Sequence, residues 1–113
     1  MAIRSEFNIQ NSPFNIIMKH TVMFRLKGTP AERQELARRF ADALMELPAL
    51  IPELKSMETG LNVNPKETFD VILTAEADSL HDIAAYSAHP AHVACVDIIR
   101  DSIDCRACVD YLG

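Results

Sequence analysis

Three side chains able to take or lend a proton crowd into one short segment, Tyr86-Ser87-Ala88-His89-Pro90-Ala91-His92. His92 continues an apolar stripe through Val96, Ile99 and Ile103, the i, i+4, i+7, i+11 spacing of one buried helix face. That spacing aims a titratable imidazole at the interior of the domain. His20 stands on the apolar side of an alternating strand, and so points to the same layer from the opposite wall. A histidine can accept a proton near neutral pH, and burial favours its uncharged, basic form. A tyrosine hydroxyl beside it can donate to a developing enolate or oxyanion. The chemistry this set supports is proton transfer on a small carbonyl compound. His92 would be the general base, Tyr86 the hydrogen-bond donor and His20 the group that orients the substrate. Val22, Phe24, Leu73, Val96 and Ile99 would line the apolar pocket. The competing expectation is that the same polar groups satisfy one another and nearby backbone, stabilising the break at Pro90.

Other arrangements are weaker. His89 immediately precedes a proline and suits a cap or turn. His81 sits beside Asp82 on a charged helix face. Cys95 lies one turn after His92, but no third group is placed to orient a Cys-His pair. A metal shell of His20, His89 and His92 lacks paired i, i+4 histidines and a carboxylate placed by spacing, so neither metal nor cofactor is expected. Cys105 and Cys108 fall three apart on a strand and point to opposite faces, so they cannot chelate one ion together; both read as small structural residues. An odd count of three cysteines without framework spacing also argues against a disulfide scaffold.

The elements that must hold the histidines can be read in order. Met18, His20, Val22, Phe24 and Leu26 share one side of a half-buried strand, and Gly28 ends it. Thr29-Pro30-Ala31-Glu32 combines an N-cap threonine, proline at the first helical position and glutamate three after the cap. The helix it starts buries Leu36, Phe40, Leu44 and Leu47 and stops at Pro48. A second strand runs near residues 55–63, a turn follows at Asn64-Pro65-Lys66-Glu67, and a third strand covers residues 69–77. Asp78 or Ser79 caps a short helix to Ala88. Pro90 starts a longer one to about Ile103, and residues 105–112 form the last strand. The order β-α-β-β-α-β predicts an α+β, ferredoxin-like antiparallel sheet with helices on one face. The other face would show Met23, Ile72 and Cys108 among Thr21, Arg25, Glu58, Thr74, Arg106 and Asp110. Such a mixed surface suits a partner sheet, so a symmetric homodimer through that face is expected.

Composition sets the outer limits. The 113 residues suffice for one domain with one core. A net charge of −5 disfavours nucleic acid and anionic membrane as partners, since both call for basic patches. No apolar run approaches the ~20 residues of a membrane span, and no uninterrupted apolar stretch marks a secretory signal. The expected compartment is cytoplasmic. Residues 1–17 differ in character, rich in polar side chains with scattered Ile3, Phe7, Ile9 and Phe14, and read as an N-terminal arm or leader ahead of a domain over residues 18–113.

Four separated segments carry a resemblance to a known family: Met18-Lys19-His20-Thr21-Val22-Met23-Phe24-Arg25-Leu26-Lys27, Leu47-Pro48-Ala49-Leu50-Ile51-Pro52, Phe69-Asp70-Val71-Ile72-Leu73 and Tyr86-Ser87-Ala88-His89-Pro90-Ala91-His92. With the closing Val109-Asp110-Tyr111, they resemble the stress-responsive α/β-barrel (Dabb) domain over residues 18–113. The resemblance implies a dimeric α+β barrel in which two sheets pack through their free faces. Most of the family has no assigned reaction. One plant member closes a linear polyketide by intramolecular aldol condensation, and its catalytic histidine and tyrosine look like His92 and Tyr86, its strand-one pocket histidine like His20. Two functions are therefore expected: a noncatalytic dimeric module for stress response or for holding a small apolar ligand, or a polyketide-cyclase-like enzyme acting on a small carbonyl substrate.

Overall fold

The computed structural model describes residues 16–113, and the arm expected over residues 1–17 lies almost wholly outside the described residues. The elements run β1 (Met18–Leu26), α1 (Pro30–Leu44), a 3-10 turn (Leu47–Ala49), β2 (Ser56–Leu61), β3 (Val71–Ala77), α2 (Leu80–Ala88), α3 (Pro90–Ile99), a second 3-10 turn (Arg100–Ser102) and β4 (Ile103–Leu112). The four strands form one antiparallel sheet in the order β2-β3-β1-β4. This is the expected ferredoxin-like α+β arrangement, with the second helix broken at His89-Pro90.

The local signals act as their chemistry dictates. Thr29 accepts a hydrogen bond from the Glu32 N–H at 3.2 Å, and the Glu32 carboxylate accepts from the Thr29 N–H at 2.8 Å, closing the capping box. Gly28 turns the chain with φ of 124°, where a Cβ would meet Glu32 Oε1 at 2.9 Å. Ser79, rather than Asp78, caps α2. Asp70 joins sheet to helix: its carboxylate accepts from the Leu26 N–H at 2.7 Å and from Arg33 at 3.2 Å.

Alternation along β1 and β3 buries His20, Val22, Phe24 and Leu26 with Val71, Leu73, Ala75 and Ala77 beneath the helices. Phe40, Leu44, Leu47, Ile51, Tyr86 and Ile99 close the core from above, and Phe24 meets Phe40 edge to face with centroids 5.5 Å apart.

Three expectations need correction. The first helix ends at Leu44, so Leu47 enters the core from the 3-10 turn, and Leu36 is only half-buried while Ala37 and Ala41 pack inward. The last helix ends at Ile99, four residues early, and Ile103 begins β4. The largest error concerns the faces of β4. His20 pairs with Asp110, Val22 with Cys108 and Phe24 with Arg106. Directly paired residues of antiparallel strands point to the same side. Arg106, Cys108 and Asp110 therefore share the helix side, and Cys105, Ala107, Val109 and Tyr111 lie on the free face, the reverse of the expectation.

Candidate functional site

Tyr86 lies at the inner end of α2 with a relative exposure of 0%. His89 ends that helix in an extended conformation, φ −65° and ψ 137°, and its Nδ1 accepts from the Ala91 N–H at 3.0 Å, so it caps α3 as expected. The sharp junction lays α3 back on α2 and brings His92 onto Tyr86, ring centroids 4.5 Å apart at 56°. His20 rises from β1 toward the same phenol, its centroid 6.1 Å from that of Tyr86 and nearly perpendicular at 72°. Helix break and strand thus meet in one row of rings: His20, Tyr86, His92.

Each polar atom in the row has a distinct condition. The His92 Nδ1 lies 2.9 Å from the Ser87 carbonyl oxygen. A carbonyl can only accept, so Nδ1 carries the proton and Nε2 keeps its lone pair. Burial holds the His92 pKa below its ordinary 6.5; the Ser87 bond opposes this, and the charges of His20 and Arg106 add to it. His92 is therefore a neutral base at physiological pH. Burial drives the Tyr86 phenol well above its ordinary 10.0, with Cys95 adding slightly, so it stays an O–H donor. Its hydroxyl is buried and has no hydrogen-bond partner among the described residues. Buried hydroxyls are otherwise almost always paired.

His20, 7% exposed, donates from Nδ1 to Asp110 Oδ1 at 2.6 Å. Asp110 was missed by sequence reasoning, because its role follows from the pairing of β1 with β4 and from nothing local. Cys108 Sγ lies 3.5 Å from the same His20 nitrogen. Both neighbours converge on Nδ1, so they do not form a Cys-His-Asp relay, which needs opposite ring nitrogens. Cys95 is buried, and burial raises its thiol pKa, an environment that suppresses the nucleophilic thiolate.

The structure brings His20, Tyr86 and His92 together. Of the expected lining, Val22, Phe24, Leu73 and Ile99 are buried in the main core, and Val96 packs against it half-buried. A surface cleft of about 840 Å³ lies elsewhere, between the start of α1 and the β2–β3 connection, lined among others by Arg33, Arg38, Val63 and Asp70. No motif announced it, since it arises where a helix start and a loop happen to stand apart. No described helix is long and apolar enough to cross a membrane.

Residues 18–112 match the family described as the Stress responsive A/B Barrel Domain, Dabb. Among characterised proteins the chain is similar to the olivetolic acid cyclase of Cannabis sativa, 28% identical over 97 residues that span 83% of this chain and 94% of that one. Among solved structures it is similar to a dimeric ferredoxin-like protein of unknown function from Bacteroides fragilis, 38% identical with a TM-score of 0.82 over 86% of this chain and 96% of that one. A dimeric ferredoxin-like protein of unknown function from Thermobifida fusca is 28% identical with a TM-score of 0.72, covering 88% and 92% of the two chains. Fold, element order and the match over nearly the whole described chain agree, and the protein belongs to the stress-responsive A/B barrel (Dabb) family.

Proposed function

We propose that this protein acts as a homodimer that catalyses acid–base ring closure on a small polyketone, with His92 as base and Tyr86 as hydrogen-bond donor. The observation that carries the reading is the buried Tyr86 hydroxyl, which has no partner among the described residues and stands against an imidazole whose free nitrogen is a base. His92 Nε2 removes a proton from a methylene between two carbonyls. The enolate carbon then attacks a carbonyl carbon further along the same molecule. Tyr86 O–H donates to the oxygen on which the negative charge collects. His20, held by Asp110, orients the chain. The likeness to olivetolic acid cyclase supports this substrate class. The dimeric relatives support a homodimer, and the apolar free sheet face, which carries Met23, Ile72, Val109 and Tyr111, is the surface suited to form it.

The test is incubation with a linear β-polyketoacyl thioester, with carbocyclic and lactone products separated by mass spectrometry. The wild type is expected to form carbocycle above the spontaneous rate, and His92→Ala to lose about 10²- to 10⁴-fold of that excess. A carbocycle yield equal to the no-protein control, or unchanged in His92→Ala, overturns the reading. A second reading, a noncatalytic dimeric module for stress response or a small apolar ligand, is favoured by one observation: Val22, Phe24, Leu73 and Ile99 are packed as core. It predicts no turnover, together with a loss of stability in His92→Ala.

A further inference from the structure

We propose that His20, Cys108 and Asp110 form a binding site for one divalent cation of the zinc type. The site shares His20 with the proposed reaction but stands without it, because it rests on strand register and ligand chemistry alone. One imidazole nitrogen, one thiol sulfur and one carboxylate oxygen lie within 4.8 Å of one another. These are the donor types that zinc takes, nitrogen and sulfur above all.

The strands supply the preorganisation. His20 and Asp110 are direct cross-strand partners, and Cys108 is two residues from Asp110 on the same strand and therefore on the same face. The sequence expectation of no metal site weighed a shell of His20, His89 and His92 and the Cys105–Cys108 pair. The pairing of β1 with β4 brings together residues about ninety positions apart, which no local spacing can show.

The distances fit a shared ion after one small movement. Nitrogen and sulfur ligands of a tetrahedral zinc, at about 2.1 and 2.3 Å from the metal, stand about 3.5 Å apart. His20 Nδ1 and Cys108 Sγ are separated by 3.5 Å. Cys108 Sγ and Asp110 Oδ1 are 4.0 Å apart. Only the His20–Asp110 pair, at 2.6 Å, is too close, and it must open by roughly 0.7 Å. The Asp110 side chain is 37% exposed and can rotate that far, while His20 is held by its burial. The His20 Nδ1 proton moves by way of solvent to Nε2, the ion takes its place between Nδ1 and Asp110, and the Cys108 thiol releases its proton to solvent on binding. A thiolate and a carboxylate then balance the two charges of the ion, and His20 binds neutral. The fourth position faces the solvent side where Cys108 and Asp110 are exposed, leaving room for one exogenous ligand.

The experiment titrates metal-free full-length protein, kept reduced with a non-chelating phosphine, with Zn²⁺ against a chromophoric chelator and with Co²⁺ by absorption. One ion per chain is expected, with a thiolate-to-cobalt charge-transfer band. Cys108→Ser should abolish the band, and Cys108→Ser and Asp110→Asn should each weaken Zn²⁺ binding at least roughly tenfold, since even outer-shell partners of a ligand are worth that much. Cys105→Ser, on the opposite face, should change neither. Both test residues are exposed, so circular dichroism is expected to show folded variants. His20 is read in the wild type, where its ring nitrogen resonances should move on adding Zn²⁺. A cobalt adduct without the thiolate band overturns the site. So does equal weakening by Cys105→Ser, undiminished binding in Asp110→Asn, or a His20 ring that does not respond.

Discussion

Tyr86→Phe separates a hydroxyl kept for chemistry from one kept for structure. Tyr86 is among the largest fully buried side chains, and its oxygen has no hydrogen-bond partner among the described residues. A buried polar group without a partner costs about 1–3 kcal/mol of desolvation. Deleting the oxygen removes that cost and leaves a void of about 10 Å³, which at the usual cavity coefficient returns only about 0.2 kcal/mol. The ring itself stays in place against His92 and His20. The net expectation is a stabilisation of about 1–3 kcal/mol, or roughly 4–12 °C in Tm for a chain of this size. Urea unfolding of both forms at one fixed protomer concentration measures it, because unfolding of a dimer depends on concentration. The same variant should lose the carbocycle excess in the polyketone assay. A Tyr86→Phe protein destabilised by about 1 kcal/mol or more would refute the reasoning, for the hydroxyl would then be making a net favourable bond.

Further outcomes follow from other parts of the chain. The His92 pKa lies below 6.5 in the fold, so the unfolded chain binds more protons as pH falls through that window. Stability from this group is therefore complete above pH 6.5 and declines below it, and so should turnover that needs a neutral base; urea midpoints and rates measured from pH 7.5 to 4.5 check the sign, and a rise toward acid contradicts it. The Tyr86 phenol ionises far above 10.0, so its contribution is intact below pH 10 and is lost as the solution becomes more alkaline; its ultraviolet titration should begin only well above pH 10.0. Val109→Lys places a charge on the free face, where Val109 is 62% exposed, and light scattering should then record a monomer; an unchanged dimer would place the interface elsewhere. Gly28→Ala forces a Cβ against Glu32 at a positive φ, and should lower stability by about 1–2 kcal/mol in the same urea assay.

What could be read in advance depended on whether the deciding interaction was local. The capping box at Thr29 and Glu32, the turn at Gly28 and the His89 cap before Pro90 each involve residues within a few positions, and each stands as its chemistry required. The inward aim of His20 was legible because β1 contrasts strongly: Val22, Phe24 and Leu26 on one side, Lys19 and Arg25 on the other. Helix ends were less so, since a 3-10 turn follows α1 after two residues and α3 directly, and apolar residues recur past both helix ends.

The phase of β4 could not be read this way, and the reason bears on function. Taking the more apolar side of a strand as the helix side assumes that only one face of the sheet is ever covered. In β4 the apolar side, Ala107, Val109 and Tyr111, turns away from the helices, while Arg106, Cys108 and Asp110 turn toward them. Both halves of that inversion are explained if each face of the sheet has its own use. Apolar residues on the free face suit a second sheet packed against it, and two of the solved relatives are dimeric. Polar residues on the helix side lie where β4 is still exposed, and there they reach the one buried histidine of β1. An apolar residue in place of Asp110 would leave His20 without its partner beneath the helices, an expensive arrangement for a polar ring. The residues that made the strand hard to phase are thus the same ones that give His20 a fixed orientation toward Tyr86.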